Sequence, residues 1–248
     1  MNILLVNDDG VSSEGIKTLA EELRGVANIF VVAPKEQQSG VGNAMTMHRP
    51  LTYKKYLDIP DCYYVDGTPA DCVKMAMHAI FKDVKFDYVI SGINIGNNLG
   101  INAIYSGTIS AATEASLLGK KSIAISLREP ATKVRSAAKF ISNYLGVLEK
   151  IDLPKGTILN INIPNLEYEE IKGFKYTKQG GMRYIDSFEE RVNPRGHVYY
   201  WQKSEVKESE MKNCDDLKAL LNGYVSITPI HTDRTNYDML SRLSDGVC

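Results

Sequence analysis

A doubly wound, mostly parallel (Rossmann-like) sheet in a three-layer α/β/α fold, with a strand-rich C-terminal extension, follows from three features of the sequence. Short, wholly apolar runs alternate with segments of helical periodicity over residues 1–165. Polar, glycine-containing turns follow the apolar runs, and beyond Pro164 the texture changes to short strand-like stretches between Gly and Pro turns.

The elements follow in order. Ile3 to Val6 has no polar position, as a strand covered on both faces requires. Ile16, Leu19, Ala20 and Leu23 then recur at i, i+3, i+4 and i+7, which places them on one helical face, and Gly25 closes the helix. Ile29 to Val32 reads as the next strand and completes a βαβ unit of right-handed crossover. Thr68-Pro69 opens a helix with an N-cap and a first-turn proline, Asp71 stands where a capping box needs it, and the helix face carries Val73, Met77 and Ile80. Asp87 to Ile90 is a buried strand expected to end at Ser91-Gly92. A helix from about Thr108 to Leu118, a strand from Ser122 to Leu127, a helix from about Thr132 to Lys150 and a strand from Thr157 to Asn162 close the core. Beyond it, Phe174 to Thr177, His197 to Trp201 and Tyr224 to Ile227 favour strands, and the charged stretch from about Ser204 to Asp216 is expected at the surface. Such an extension suits a lid, a subunit contact or an edge of the main sheet. No repeat or low-complexity linker divides the chain, so one domain over 1–248 is expected, with a core over 1–165 and an extension over 166–248.

Composition narrows the function classes. The 29 basic residues nearly balance 30 acidic ones, which argues against a partner that is a nucleic-acid polymer. Residues 1–9 have no basic region ahead of their apolar run, and no later stretch is long and apolar enough to span a membrane. Cys62, Cys72, Cys214 and Cys248 form no CxxC pair, so structural zinc is not expected and a reducing, cytoplasmic setting fits. His48, His78, His197 and His231 lack zinc spacing, and His78 reads as a structural or surface residue of its helix.

In an open α/β sheet, ligands bind beyond the carboxyl ends of the strands. Four polar turns are expected there: Asn7-Asp8-Asp9-Gly10, Ser39-Gly40-Val41-Gly42-Asn43, Ser91 to Gly100, and Tyr105-Ser106-Gly107-Thr108. Adjacent carboxylates repel unless a positive charge lies beside them. A hard divalent cation such as Mg²⁺ or Mn²⁺ supplies it, with Asp8 and Asp9 as anionic ligands and Ser39 and Asn94 as neutral oxygen donors. The helix start at Ser106-Gly107-Thr108 suits a phosphate, because free backbone N–H groups and the helix dipole favour an anion. Asn43 and Asn98 join that phosphate and substrate side. Taken singly, each turn is also an ordinary connection or helix cap; their convergence on one face points to metal-assisted phosphoryl transfer, with Asp8 and Asp9 as catalytic residues.

The same residues carry a family resemblance. Asn7 to Gly10, Val32-Ala33-Pro34, Ser39-Gly40, Gly67 to Val73, Ser91 to Asn94, Asn98 to Gly100, Tyr105 to Thr108, Asn160 to Pro164, Asn193 to Gly196, Tyr199 to Trp201 and Gly223 to Pro229 resemble, in order, the SurE survival-protein family. The resemblance implies a 5′-nucleotidase that hydrolyses nucleoside monophosphates, often with activity on short polyphosphate. It implies one divalent metal per subunit held by Asp8, Asp9, Ser39 and Asn94. It also implies a homo-oligomer, dimer or tetramer, with C-terminal elements exchanged between subunits. The chain differs from many relatives in having Gln37-Gln38 and Gly42-Asn43-Ala44 around Ser39, and Asn193 before Arg195.

Rival readings fit less well. The first turn lacks GxGxxG, which disfavours a dinucleotide site, and Asn7 stands where a DxD phosphatase needs an acid. A phospho-receiver module with an acidic magnesium-binding pair is the alternative from another class, but its acceptor and lysine positions fall on Ala33-Pro34 and Ser91-Gly92. The expected mechanism is in-line attack by a water activated by the metal and by Asp8 or Asp9, with a transient phospho-Asp8 as the competing route.

Overall fold

Apolar residues on both faces of a strand call for a layer of helices on each side, and that is how the core is built. The structure is a computed structural model that describes residues 1–182, 184–206 and 214–245. Strand β1 (Asn2–Val6) sends Ile3 and Leu5 into one apolar cluster and Leu4 and Val6 into another. Helices α1 (Glu14–Leu23) and α4 (Val134–Leu148) cover the first side with Ile16, Leu19, Ala137 and Ile141. Helices α2 (Pro69–Met75) and α3 (Gly107–Leu117) cover the second with Cys72, Val73, Ala111 and Ala115.

The main sheet has nine strands in the order β3-β4-β2-β1-β5-β6-β7-β11-β8. Its centre is parallel: β2 (Asn28–Pro34) and β5 (Tyr88–Ile95) flank β1, β4 (Cys62–Val65) follows β2, and β6 (Lys121–Leu127) and β7 (Thr157–Ile163) follow β5. The chain runs outward one way from β1 through β2 and the other way from β5. A crevice therefore opens between the carboxyl ends of β1 and β5, the topological switch point at which such sheets bind ligands.

Past residue 165 the chain returns to the sheet edge. β11 (Val225–His231) pairs antiparallel with β7, and β8 (Phe174–Tyr176) pairs with β11. β9 (Tyr184–Val192) and β10 (Val198–Val206) form a separate antiparallel ribbon. Helix α5 (Asp215–Leu221) packs beside β11, and α6 (Tyr237–Asp245) buries none of its residues. No described helix is long and apolar enough to cross a membrane.

Several elements depart from the sequence reading. The strand expected to end at Ser91-Gly92 continues to Ile95, past a cis Gly92–Ile93 peptide and a register shift between Ser91 and Asn94. Asn94 thus lies on a strand rather than in a turn. The helix expected to run on through Ile80 changes to π-helical hydrogen bonding over Ala76–Ile80. β3 (Tyr53–Lys55) and β4 are additional strands, too short to show a period. Of the charged stretch expected at the surface, Cys214 and Asp216 are buried, and residues 207–213 lie outside the described residues. Cys248 lies outside them as well.

Candidate functional site

The turn after β1 carries the two carboxylates, and Asn7 braces it from beneath. The fully buried Asn7 donates from Nδ2 to the Gly10 carbonyl at 2.9 Å and to Ser13 Oγ at 2.7 Å, which ties the turn to the start of α1. The Gln38 amide donates to the Asp8 carbonyl at 2.7 Å and brings in the loop after β2. Asp8 is 5 % exposed and accepts a 2.7 Å hydrogen bond at Oδ1 from Thr108 Oγ1. Asp9 is half-buried and accepts at Oδ2 from the Ile95 amide at 3.3 Å.

Helix α3 starts against Asp8. Ser106 caps it, its Oγ accepting from the Ile109 amide at 3.1 Å, so the hydroxyl proton stays available as a donor. Gly107 is the point of closest approach: a Cβ there would stand 2.7 Å from Asp8 Cβ and 2.9 Å from Oδ2. Only a residue without a side chain lets the helix start sit so close to the carboxylate. Thr108, expected as a cap, is fully buried in the first turn and turns its hydroxyl to Asp8 instead.

Asn98 joins this group from the other side. Its Nδ2 donates to Ser126 Oγ at 2.8 Å and to Thr108 Oγ1 at 3.4 Å. Asn94 donates from Nδ2 to the Gly96 carbonyl at 2.6 Å. Ser39 is exposed and accepts at Oγ from Gln37 Nε2 at 2.8 Å, a contact within its own loop. Asn43 is exposed and, with Ser106, lines a cavity of about 680 Å³ whose walls also include Ile104, Ile109 and Arg234 but neither Asp8 nor Asp9.

The structure thus links Asp8, Thr108 and Asn98 through hydrogen bonds, places Gly107 against Asp8, and ties Asp9 to the residue after Asn94. Ser39 and Asn43 make no hydrogen bond to that set among the described residues. Sequence reasoning gave no site role to Asn7, Ser126, Asn160 or Asn162, although Asn7, Asn160 and Asn162 lie within the motifs quoted above. The signal for the last two was an Asn at alternate positions of an otherwise apolar strand.

The electrostatics of the pair call for a positive partner. Burial, and then the neighbouring Asp9 charge, push Asp8 up to about 6 against the Thr108 hydrogen bond. Burial also raises Asp9 above its ordinary value. No Lys or Arg among the described residues forms an ion pair with either. No group of three or more His, Cys, Asp or Glu converges as metal ligands among those residues, so two carboxylates plus neutral oxygens are the donor set available. That set fits a hard, oxygen-seeking divalent cation, which would relieve both shifts.

Comparison with known proteins places the chain. The family model described as "Survival protein SurE" matches residues 3–186. The chain belongs to the SurE family. It is similar to the "5′-nucleotidase SurE" of Petrotoga mobilis, with 44 % identity covering 98 % of each chain. The "5′-nucleotidase SurE" of Thermosipho africanus is 45 % identical, covering 99 % of this chain and 97 % of that one. The crystal structure of the SurE protein from Aquifex aeolicus shares the fold at a TM-score of 0.85 and 42 % identity, covering 99 % of both chains. This membership agrees with the three-layer α/β/α reading and leaves no support for the phospho-receiver alternative.

Proposed function

We propose that this SurE-family chain is a divalent-metal-dependent phosphomonoesterase that hydrolyses nucleoside 5′-monophosphates to nucleoside and phosphate, and also acts on short-chain polyphosphate. The observation that carries the reading is the Asp8–Asp9 pair at the switch point, facing the first turn of α3. One cation per subunit, Mg²⁺ or Mn²⁺, would be held by Asp8, Asp9, Ser39 and Asn94. When bound it supplies charge neutralisation at the phosphate and polarisation of a water.

The chain's own residues do the rest. The N-terminal amides of α3 at Gly107 and Thr108, the Ser106 hydroxyl and the Asn98 amide group bind and orient the anionic oxygens, and Asn43 contacts the substrate from the loop above. Thr108 holds Asp8 in one orientation. Asp8 or Asp9 takes the proton from the attacking water. A phospho-Asp8 intermediate is the competing route, and the stereochemistry at an isotopically chiral phosphate separates the two: a single in-line displacement by water inverts the configuration at phosphorus, whereas two displacements through Asp8 retain it. The chain works as a single unit over 1–248, in the cytoplasm, with segment 166–248 joining copies into a dimer or tetramer and with no nucleic-acid polymer or membrane as partner.

The test of function is a panel of ribo- and deoxyribonucleoside monophosphates and short polyphosphates, each with several divalent metals. Phosphate release that stops on chelation and returns with added metal is expected. Turnover unaffected by chelation would sink the metal assignment.

A further inference from the structure

Loop 96–100 carries Asn98 to the site, and residues outside the reaction hold it at Asn98 and at Gly100. The Asn98 amide donates to Asn162 Oδ1 at 2.8 Å, and its carbonyl accepts from Asn160 Nδ2 at 2.8 Å and Asn162 Nδ2 at 3.1 Å. Two residues on, the Gly100 amide donates to Asp216 Oδ2 at 2.9 Å.

Asp216 lies in the first turn of α5, far along the chain, and is 2 % exposed. The same Oδ2 accepts from the Gly180 amide at 3.1 Å, and Oδ1 accepts from its neighbour, the Leu217 amide, at 2.9 Å. One side chain thereby joins the loop after β5, the segment after β8 and the start of α5. The join is tight on the loop side. The Ile101 amide donates to the Met182 carbonyl at 3.0 Å, and Gln179 Nε2 donates to the Gly100 carbonyl at 2.8 Å. Gly100 has φ +56°, and a Cβ there would stand 2.4 Å from the Met182 carbonyl oxygen.

Leu99, Met182, Cys214, Leu217 and Leu220 form a small apolar cluster at this join. If Asp216 served only to stabilise that cluster, an apolar residue would do it without the desolvation cost of a buried carboxyl. What a carboxyl adds is direction, since two oxygens with several lone pairs fix several amides at once. A phosphate donor needs that direction, because misplacement by about 1 Å costs on the order of 100-fold in rate.

We propose that Asp216 is a positioning residue for the reaction: it fixes Gly100 and, through the intervening peptides, holds Asn98 at the phosphate. The C-terminal segment is then part of the turnover apparatus. The inference rests on Asn98 as a phosphate donor in the proposed function.

The experiment measures kcat and KM on a nucleoside 5′-monophosphate with saturating Mn²⁺, together with Tm and backbone amide exchange, for wild type, Asp216→Asn and Leu220→Ala. Asp216→Asn is expected to lose about 10- to 100-fold in kcat/KM and to speed exchange at Asn98 and Gly100. Leu220→Ala lowers Tm at least as much, yet keeps kcat/KM within about twofold and leaves those amides protected, as a change confined to the apolar cluster should. Wild-type kinetics in Asp216→Asn, or an equal loss in Leu220→Ala, overturns the proposal. If Asp216→Asn does not fold, the exposed Gln179→Ala decides: a loss of a few fold at unchanged Tm supports positioning, and wild-type kcat/KM overturns it. A wild-type protein with no turnover on any monophosphate instead refutes the proposed function, and amide exchange at Gly100 alone then judges the clamp.

Discussion

Two neighbouring carboxylates in a buried turn are an electrostatic liability unless a cation is bound, and the liability is measurable. An unfolded aspartate has its ordinary value of 3.8, whereas Asp8 in the fold stands near 6. Between those values the folded state holds more protons than the unfolded one, so stability falls as pH rises through that window. Below about pH 4 the cost vanishes, and above about pH 6 it stands in full, at about 3 kcal/mol. Asp8→Asn should therefore melt higher than the metal-free wild type at pH 7.5 and lose most of that advantage at pH 4.5; equal Tm differences at the two pH values would refute the burial argument. Added Mn²⁺ should raise the wild-type Tm at pH 7.5 far more than that of Asp8→Asn. Function demands the opposite of stability here. Asp9→Asn is expected to lose about 10²- to 10³-fold in kcat while keeping a wild-type circular dichroism spectrum, and full activity in that variant would remove Asp9 from the site. Gly107→Ala tests the approach of α3, since its Cβ would stand 2.7 Å from Asp8 Cβ. A loss of about 10²-fold in kcat/KM is expected, because either the helix start or the carboxylate must move.

At the scale of elements, the site depends on strands that carry polar residues where a core strand would not. Asn160 and Asn162 sit at alternate positions of β7, both buried, and together hold the Asn98 peptide. Asn162→Ala removes the acceptor of the Asn98 amide and should cost about 1–3 kcal/mol by denaturant titration, with a fall in kcat/KM that a substitution elsewhere on β7 does not share. Such residues mark how far the sequence could be read. The apolar runs of β1, β2, β6 and β7 and the periodicity of α1 and α4 are signals of burial and were legible from one chain. The Asp8-Asp9 turn, the Ser106 cap and the Thr68 capping box were legible because their chemistry is local: Thr68 Oγ1 accepts from the Asp71 amide at 3.2 Å, and Asp71 returns the bond. The continuation of β5 through Gly92 to Ile95 was not legible, since a glycine after a serine reads as a turn and the pairing of Asn94 with Ser126 on β6 is non-local. Asp216 was hidden for the same reason. In a charged stretch it resembles a surface residue, and its partners Gly100 and Gly180 are distant in sequence.

The whole molecule exposes more apolar surface than a single copy has use for. The β9–β10 ribbon forms its own two-stranded sheet, with Phe188, Tyr200 and Trp201 all more than half exposed. Helix α6 buries no residue, although its Tyr237, Leu240 and Leu243 are apolar and at least half exposed. An isolated two-stranded ribbon is marginal in water, and a short helix without a packed face is no better. Both elements belong to the C-terminal segment, and both would gain stability by packing against a further apolar surface. A second copy is the occupant that the family resemblance implies, and a stable interface of about 800 Å² per partner is of the size such elements can supply. Light scattering after gel filtration should then give the mass of two or four chains, with Tm rising as protein concentration rises. Trp201→Glu combined with Leu243→Glu should shift the mass toward one chain, because a charge at the centre of an apolar contact is left without a partner. A wild-type protein that elutes with the mass of one chain across the concentration range, with a concentration-independent Tm, would show that these surfaces serve something other than self-association.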